Sequence, residues 1–182
     1  MENQYLDANL EQDRSSYFAY GGFWERFLAA LIDGILLAIV GQVINSIMGI
    51  SIMDVFRVTD PDDINEMFGA KYYIASAIGL GINWAYYAYL ESSDKQATLG
   101  KQALNLVVTD LNGQKIDFQR ASMRFLGKQI LTVGVVAGTA FASPAITSLA
   151  TLAGLVGYLM QPFTAKKQAL HDIIAGTLVY KK

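Results

Sequence analysis

The chain has 182 residues, of which 53% are hydrophobic and only 16% charged, with a formal net charge of −2. A soluble domain carries about 25% charged residues, so this one lacks the charge to coat a water-facing surface, and its mean hydropathy is positive. With no cysteine and one histidine, His171, a disulfide framework, a thiol nucleophile and a multi-histidine metal site are excluded. No basic stripe with interleaved aromatics points to nucleic acid. No nucleophile–base pair or ligand cluster argues for an enzyme, a metal or a resident cofactor.

Residues 1–20 are polar, with Glu2, Asp7, Glu11 and Asp13, and lack the basic start and apolar core of a signal peptide. They read as a disordered cytoplasmic tail, and residues 21–182 as one transmembrane domain. The first apolar run, Phe27 to Met53, carries Asp33 as its only formal charge. About 20 apolar residues cross a bilayer core, so a span is expected over about 27–50. An acidic connector leads to a second, uncharged run with an expected span at 71–90.

From Gln129 to Ala165 no residue carries a formal charge. As one helix this stretch would be roughly 55 Å long, too long for one crossing. Ala142-Ser143-Pro144 is the natural break, giving spans at about 123–142 and 145–163. With the N-terminus inside, Arg57 and Lys71 are the only two of the fourteen Lys and Arg residues left outside. The positive-inside rule then puts both termini in the cytoplasm. The expected architecture is an all-α, multi-pass membrane protein of four transmembrane helices.

Between Glu91 and Arg120, two strand-like segments, Leu106–Leu111 and Gln114–Phe118, flank Asn112-Gly113, the preferred centre of a type I′ turn. Thr177–Tyr180 offers a third strand. A small cytoplasmic β-hairpin or three-stranded sheet is therefore expected to cap the bundle.

Arg26 and Asp33 share one face of the first helix, about 10.5 Å apart along its axis. An aspartate at the centre of a span costs about 2.5–3.5 kcal/mol on insertion scales, so Asp33 calls for a partner or a task. A buried Arg26–Asp33 pair is expected, serving either as a structural lock or as a site for protons or cations. Asn83 lies deep in the second span, either as an oxygen ligand for a hard cation beside Asp33 or as an interhelical hydrogen-bonding group. Ala30, Gly34 and Gly41, and Gly134-x-x-x-Gly138, suit close helix packing. Thr98-Leu99-Gly100-Lys101 opens a short helix, with Thr98 as its N-cap; its free N–H groups and Lys101 also suit an anionic head group or a carboxylate. Asp172 is placed to pair with Arg26, Arg120 or Arg124. Tyr72, Tyr73 and Tyr89 read as interfacial anchors, whereas Trp84, Tyr86 and Tyr87 have the alternative of facing the bundle.

In order and spacing these elements resemble the RDD family of bacterial membrane proteins, named for one arginine and two aspartates. The matching residues are Gly22-Phe23-Trp24-x-Arg26-x-x-Ala29-x-x-Ile32-Asp33, Thr98-Leu99-Gly100-Lys101, Asp110-x-x-Gly113 and Arg124. Leu170-His171-Asp172-x-x-Ala175-Gly176-Thr177-x-Val179 completes the pattern. The resemblance implies the trio Arg26, Asp33 and Asp172, a place in the bacterial inner (cytoplasmic) membrane, and a transport role. Some members are linked to sodium/proton antiport, so Na+ and H+ are the implied ligands, and four helices per chain imply a homo-oligomer. In the alternative, a non-transporting scaffold, lipid-binding element or accessory subunit, the charge network is structural.

Overall fold

The computed structural model describes residues 19–55, 57, 69–129 and 144–182. Helix α1, Phe23–Ile47, is followed by a single turn, α2, Ile52–Val55, and a second long helix, α3, Ala70–Ser92. Then come a short helix α4, Leu99–Ala103, strand β1, Leu106–Asp110, and helix α5, Phe118–Lys128. Helix α6, Pro144–Leu159, runs into a 3-10 turn, Gln161–Phe163, and the chain closes with α7, Leu170–Ala175, and β2, Thr177–Lys181.

Among the described residues α1 alone is both long and apolar enough to cross a bilayer. Its Ile35, Ile39 and Ile47 are exposed in the single chain, as are Leu149 and Leu152 of α6; lipid or a second chain is the solvent such surfaces suit. Helix α3 has 23 residues, but Lys71 and Glu91 lie within it. Helix α6 is apolar but has 16 residues. Residues 130–143, most of the expected third span, lie outside the described residues. Met123 to Lys128 belong to α5, an amphipathic helix that buries Ala121, Arg124 and Phe125 and packs on α3 and α7.

The expected hairpin is corrected. Asn112-Gly113 does turn the chain: Gly113 has φ +76°, and Asp110 Oδ1 accepts from the Asn112 and Gln114 N–H groups at 2.9 and 2.8 Å. The segment after the turn is not a strand, because Ile116 is buried in the core and Asp117 caps α5, accepting from Arg120 N–H at 2.7 Å. Strand β1 pairs instead with β2, antiparallel, with Val108 opposite Val179 and Asp110 opposite Thr177. Tyr20 bridges to Tyr180, and the Lys181 N–H donates to the Ala19 carbonyl at 2.9 Å. Residues 19 and 20 thus lie along the sheet; residues 1–18 of the expected tail lie outside the described residues.

The core sits under this sheet rather than between the long helices. Ala29, Ala88, Leu106, Val108, Ile116, Ala121 and Val179 form one buried cluster. It ties the first turns of α1 and the last turns of α3 to the β1–β2 cap. A Cβ at Gly34 or Gly41 would meet nothing within 4 Å, so no described part of the same chain packs closely on them, and dimerisation is the expected packing that stays open to them. Gly134 and Gly138 lie outside them.

Candidate functional site

Two polar constellations lie where the cap meets the long helices. The first is built on Asp33, 1% exposed on α1. Its Oδ1 accepts from the Tyr86 hydroxyl at 2.6 Å and from the Gly100 N–H at 2.7 Å, and its Oδ2 accepts from the Thr98 hydroxyl at 2.6 Å. Tyr86 Oη in turn accepts from Leu99 N–H at 3.2 Å. The sequence folds this way because Thr98 caps α4, leaving the helix's first N–H groups without intrahelical partners. The motif therefore holds a carboxylate, and that carboxylate is the chain's own. Gly100 permits the approach: a Cβ there would stand 2.1 Å from the Ala29 carbonyl oxygen and 2.9 Å from the Asp33 carboxylate.

The second constellation is ionic and has two acidic hubs. Asp172, fully buried, receives Arg26 Nη1 on Oδ2 at 2.6 Å and Arg124 Nη2 on Oδ1 at 2.9 Å. Its Oδ2 also accepts from the Ala169 N–H at 3.1 Å, closing the first turn of α7, and His171 Nε2 stands 3.3 Å from Oδ1. Glu91, equally buried at the end of α3, pairs with Lys101, with Arg124 Nε at 3.1 Å and with Lys128 at 3.4 Å. Arg124 joins the hubs, and its Nη1 donates to the Thr177 hydroxyl at 2.9 Å. A planar fork of five donors makes arginine suited to such bridging. Desolvating these charges is costly, and the network is tolerable because each carboxylate meets several donors.

The expected Arg26–Asp33 pair is thus corrected: Arg26 pairs with Asp172, and Asp33 is held by neutral donors. The reason is directional. Side chains on a helix lean toward its N-terminus, and Arg26 does so, its Nε donating to the Gly21 carbonyl at 3.2 Å. That end is where α7 brings Asp172. Asn83 joins neither constellation; its amide donates to the Gly79 carbonyl one turn back at 2.9 Å. Tyr86 and Tyr87 face the protein, with Lys128 Nζ 4.0 Å above the Tyr87 ring, whereas Trp84 is exposed and its Nε1 donates to the Ser122 hydroxyl at 3.0 Å.

Glu91, the second hub, was not singled out from the sequence. As the acidic residue closing an otherwise uncharged span it reads as a solvated end; the legible signal was the excess of basic residues, Lys101, Arg124 and Lys128, lacking a counter-ion. No group of metal-ligating side chains occurs among the described residues.

Burial pushes the Lys101 ammonium down to about 7, against the pull of Glu91. Burial likewise pushes the His171 imidazole down to about 3. For Asp172 burial works upward, but Arg124, His171 and Arg26 together hold the carboxyl well below its usual range. Both His171 and Asp172 make the fold acid-labile. The unfolded chain protonates its imidazole below about 6.5 while the folded one resists, so stability falls as pH drops from there. Below the ordinary aspartate value of 3.8 the Asp172 contribution goes as well. Thermal unfolding followed from pH 8 to 4 should show a falling Tm below about 6.5, and His171→Gln should flatten the limb between 6.5 and 4.

Arg26, Asp33, Lys101, Arg124, Lys128 and His171 all line a cavity of about 450 Å³, with Phe23, Phe27, Leu155 and Leu159 among its apolar walls.

The chain is 32% identical to an uncharacterised protein, YxaI, of Bacillus subtilis strain 168, over 166 residues, covering 88% of this chain and 97% of that one. No solved structure matches. The RDD family matches residues 20–176, from the strand-bridging Tyr20 to the Gly176 that ends α7. That stretch holds both acidic hubs, Asp33 and every basic partner named above; with the apolar helix α1 it points to a membrane protein, and the chain belongs to the RDD family.

Proposed function

We propose that this protein is a non-transporting, non-enzymatic membrane module, a scaffold or accessory subunit, in which the charge network is structural. The network clamps the cap, formed by α4, β1, α7 and β2, onto the ends of α1, α3 and α5. In this reading the chain is multi-pass in the bacterial inner membrane, with four spans and both termini cytoplasmic, and it associates with further copies through the apolar faces of α1 and α6.

The observation that carries the reading is the coordination of Asp33. Cation–proton exchange, which the family resemblance brings to mind, needs a carboxylate open to a cation and to water. Asp33 is 1% exposed and accepts three hydrogen bonds of 2.6–2.7 Å from Tyr86, Thr98 and Gly100. Asn83, the other expected ligand, bonds within its own helix. The surrounding cluster is also richer in basic than in acidic groups, which disfavours a cation.

The test is a flux assay in proteoliposomes carrying a pH gradient. The wild type should move no protons in response to Na+, K+ or Li+, and Asp33→Asn should lower Tm. Cation-dependent proton movement by the wild type that Asp33→Asn abolishes at unchanged Tm would overturn the reading.

A further inference from the structure

The cavity between α1 and α6 is unlike either constellation, because charged groups and apolar side chains line it together. At the cap end stand Arg26, Lys101, Arg124 and Lys128, with Glu91 and Asp172 among them as the paired carboxylates. Four basic groups against two acidic ones leave an excess, which survives even when Asp33 is counted. Of the two donors buried without a hydrogen-bond acceptor among the described residues, Arg124 Nε still has Glu91 at 3.1 Å, which leaves Arg26 Nη2. Buried donors are nearly always satisfied, so this atom marks a place for an anion's oxygen.

The remaining wall is largely hydrocarbon. Phe27, Leu155 and Leu159 line the cavity and are each half exposed in the single chain. Helices α1 and α6 are not closely packed on one another among the described residues, and the cavity occupies the space between them. The volume of about 450 Å³ lies within the range of small-molecule sites.

We propose that this cavity binds an anionic amphiphile, its carboxylate or phosphate head against Arg26 and Lys128 and its hydrocarbon tail along Phe27, Leu155 and Leu159. Arginine's planar fork suits both head groups, and the apolar wall sets the ligand apart from a free anion. The inference rests on the structural reading of the network, since a network committed to fixing the cap keeps its surplus cations in place.

The test is thermal unfolding of the full chain in a neutral detergent, with dioleoyl phosphatidylglycerol, oleate, dioleoyl phosphatidylcholine or inorganic phosphate added. Phosphatidylglycerol or oleate should raise Tm by about 5 °C at saturation, and whichever does so identifies the source of the head group. Phosphatidylcholine and inorganic phosphate should leave Tm where it was. Leu159→Trp, which fills the tail end, and Lys128→Gln, which weakens the head end, should each reduce the shift at least by half. Arg26→Gln is avoided as the main variant because it strips Asp172 of a partner at 2.6 Å, whereas Lys128 stands 3.4 Å from a Glu91 that keeps Lys101 and Arg124. An equal shift with phosphatidylcholine, a full shift with phosphate, no shift with either amphiphile, or a shift unchanged in both variants would overturn the proposal. No gradient enters this measurement, so cation flux in liposomes would sink the function proposed above alone, and absence of a lipid preference would sink this inference alone.

Discussion

Glu91→Gln should be among the most destabilising conservative substitutions in the chain, costing about 3–5 kcal/mol. The side chain is fully buried and faces Lys101, Arg124 and Lys128 at once. Glutamine keeps the shape and removes the charge, leaving three basic groups around a neutral amide. Lys101 is the most affected, because Glu91 alone opposes the burial that depresses its pKa. Thermal unfolding in detergent should show a fall in Tm on the order of 10 °C or more. Pairing the change with Lys101→Met removes one stranded cation, so the double variant should lose less than the sum of the two single losses. A Glu91→Gln protein that melts with the wild type would mean that this hub contributes nothing to stability.

Asp172→Asn should have a comparable cost, about 3–5 kcal/mol, but a different location. It strands Arg26 and Arg124, and Arg124 is what ties α5 to Thr177 at the start of β2. Asparagine retains an oxygen able to accept from Ala169 N–H, so the first turn of α7 keeps its cap. Asp172→Ala loses that too, for about 1 kcal/mol more. The loss should be read locally as well as globally: hydrogen exchange of residues 177–181 should accelerate before that of α3. Uniform acceleration along the whole chain would contradict a clamp that holds the C-terminal strand.

Arg26, Arg124 and Asp172 were legible as an interacting group because motif order places both ends of the chain near one interface, where charge seeks charge. Asp33 was legible as an expensive buried acid but its partners were not. Helical periodicity reports which residues share a face and says nothing of side-chain direction; Arg26 reaches back toward Gly21 and away from Asp33. The donors that Asp33 uses, a tyrosine hydroxyl, a threonine hydroxyl and a backbone N–H, carry no charge pattern to read. Asn112-Gly113 correctly marked a turn, but turn chemistry fixes neither the strand that follows nor its partner. Ile116 was drawn into the core and Asp117 into capping α5, leaving β1 to find β2 at the far end of the chain. Met123 to Lys128 read as the start of a span, whereas they lie in α5, whose Arg124 and Lys128 project toward Glu91.

Which acid belongs to Arg26 is measured directly by a pair of double-mutant cycles on thermal stability. Arg26→Gln with Asp172→Asn should be non-additive, with a coupling of about 0.5–3 kcal/mol; Arg26→Gln with Asp33→Asn should add to within about 0.5 kcal/mol. Strong coupling between Arg26 and Asp33, with none between Arg26 and Asp172, would contradict the account.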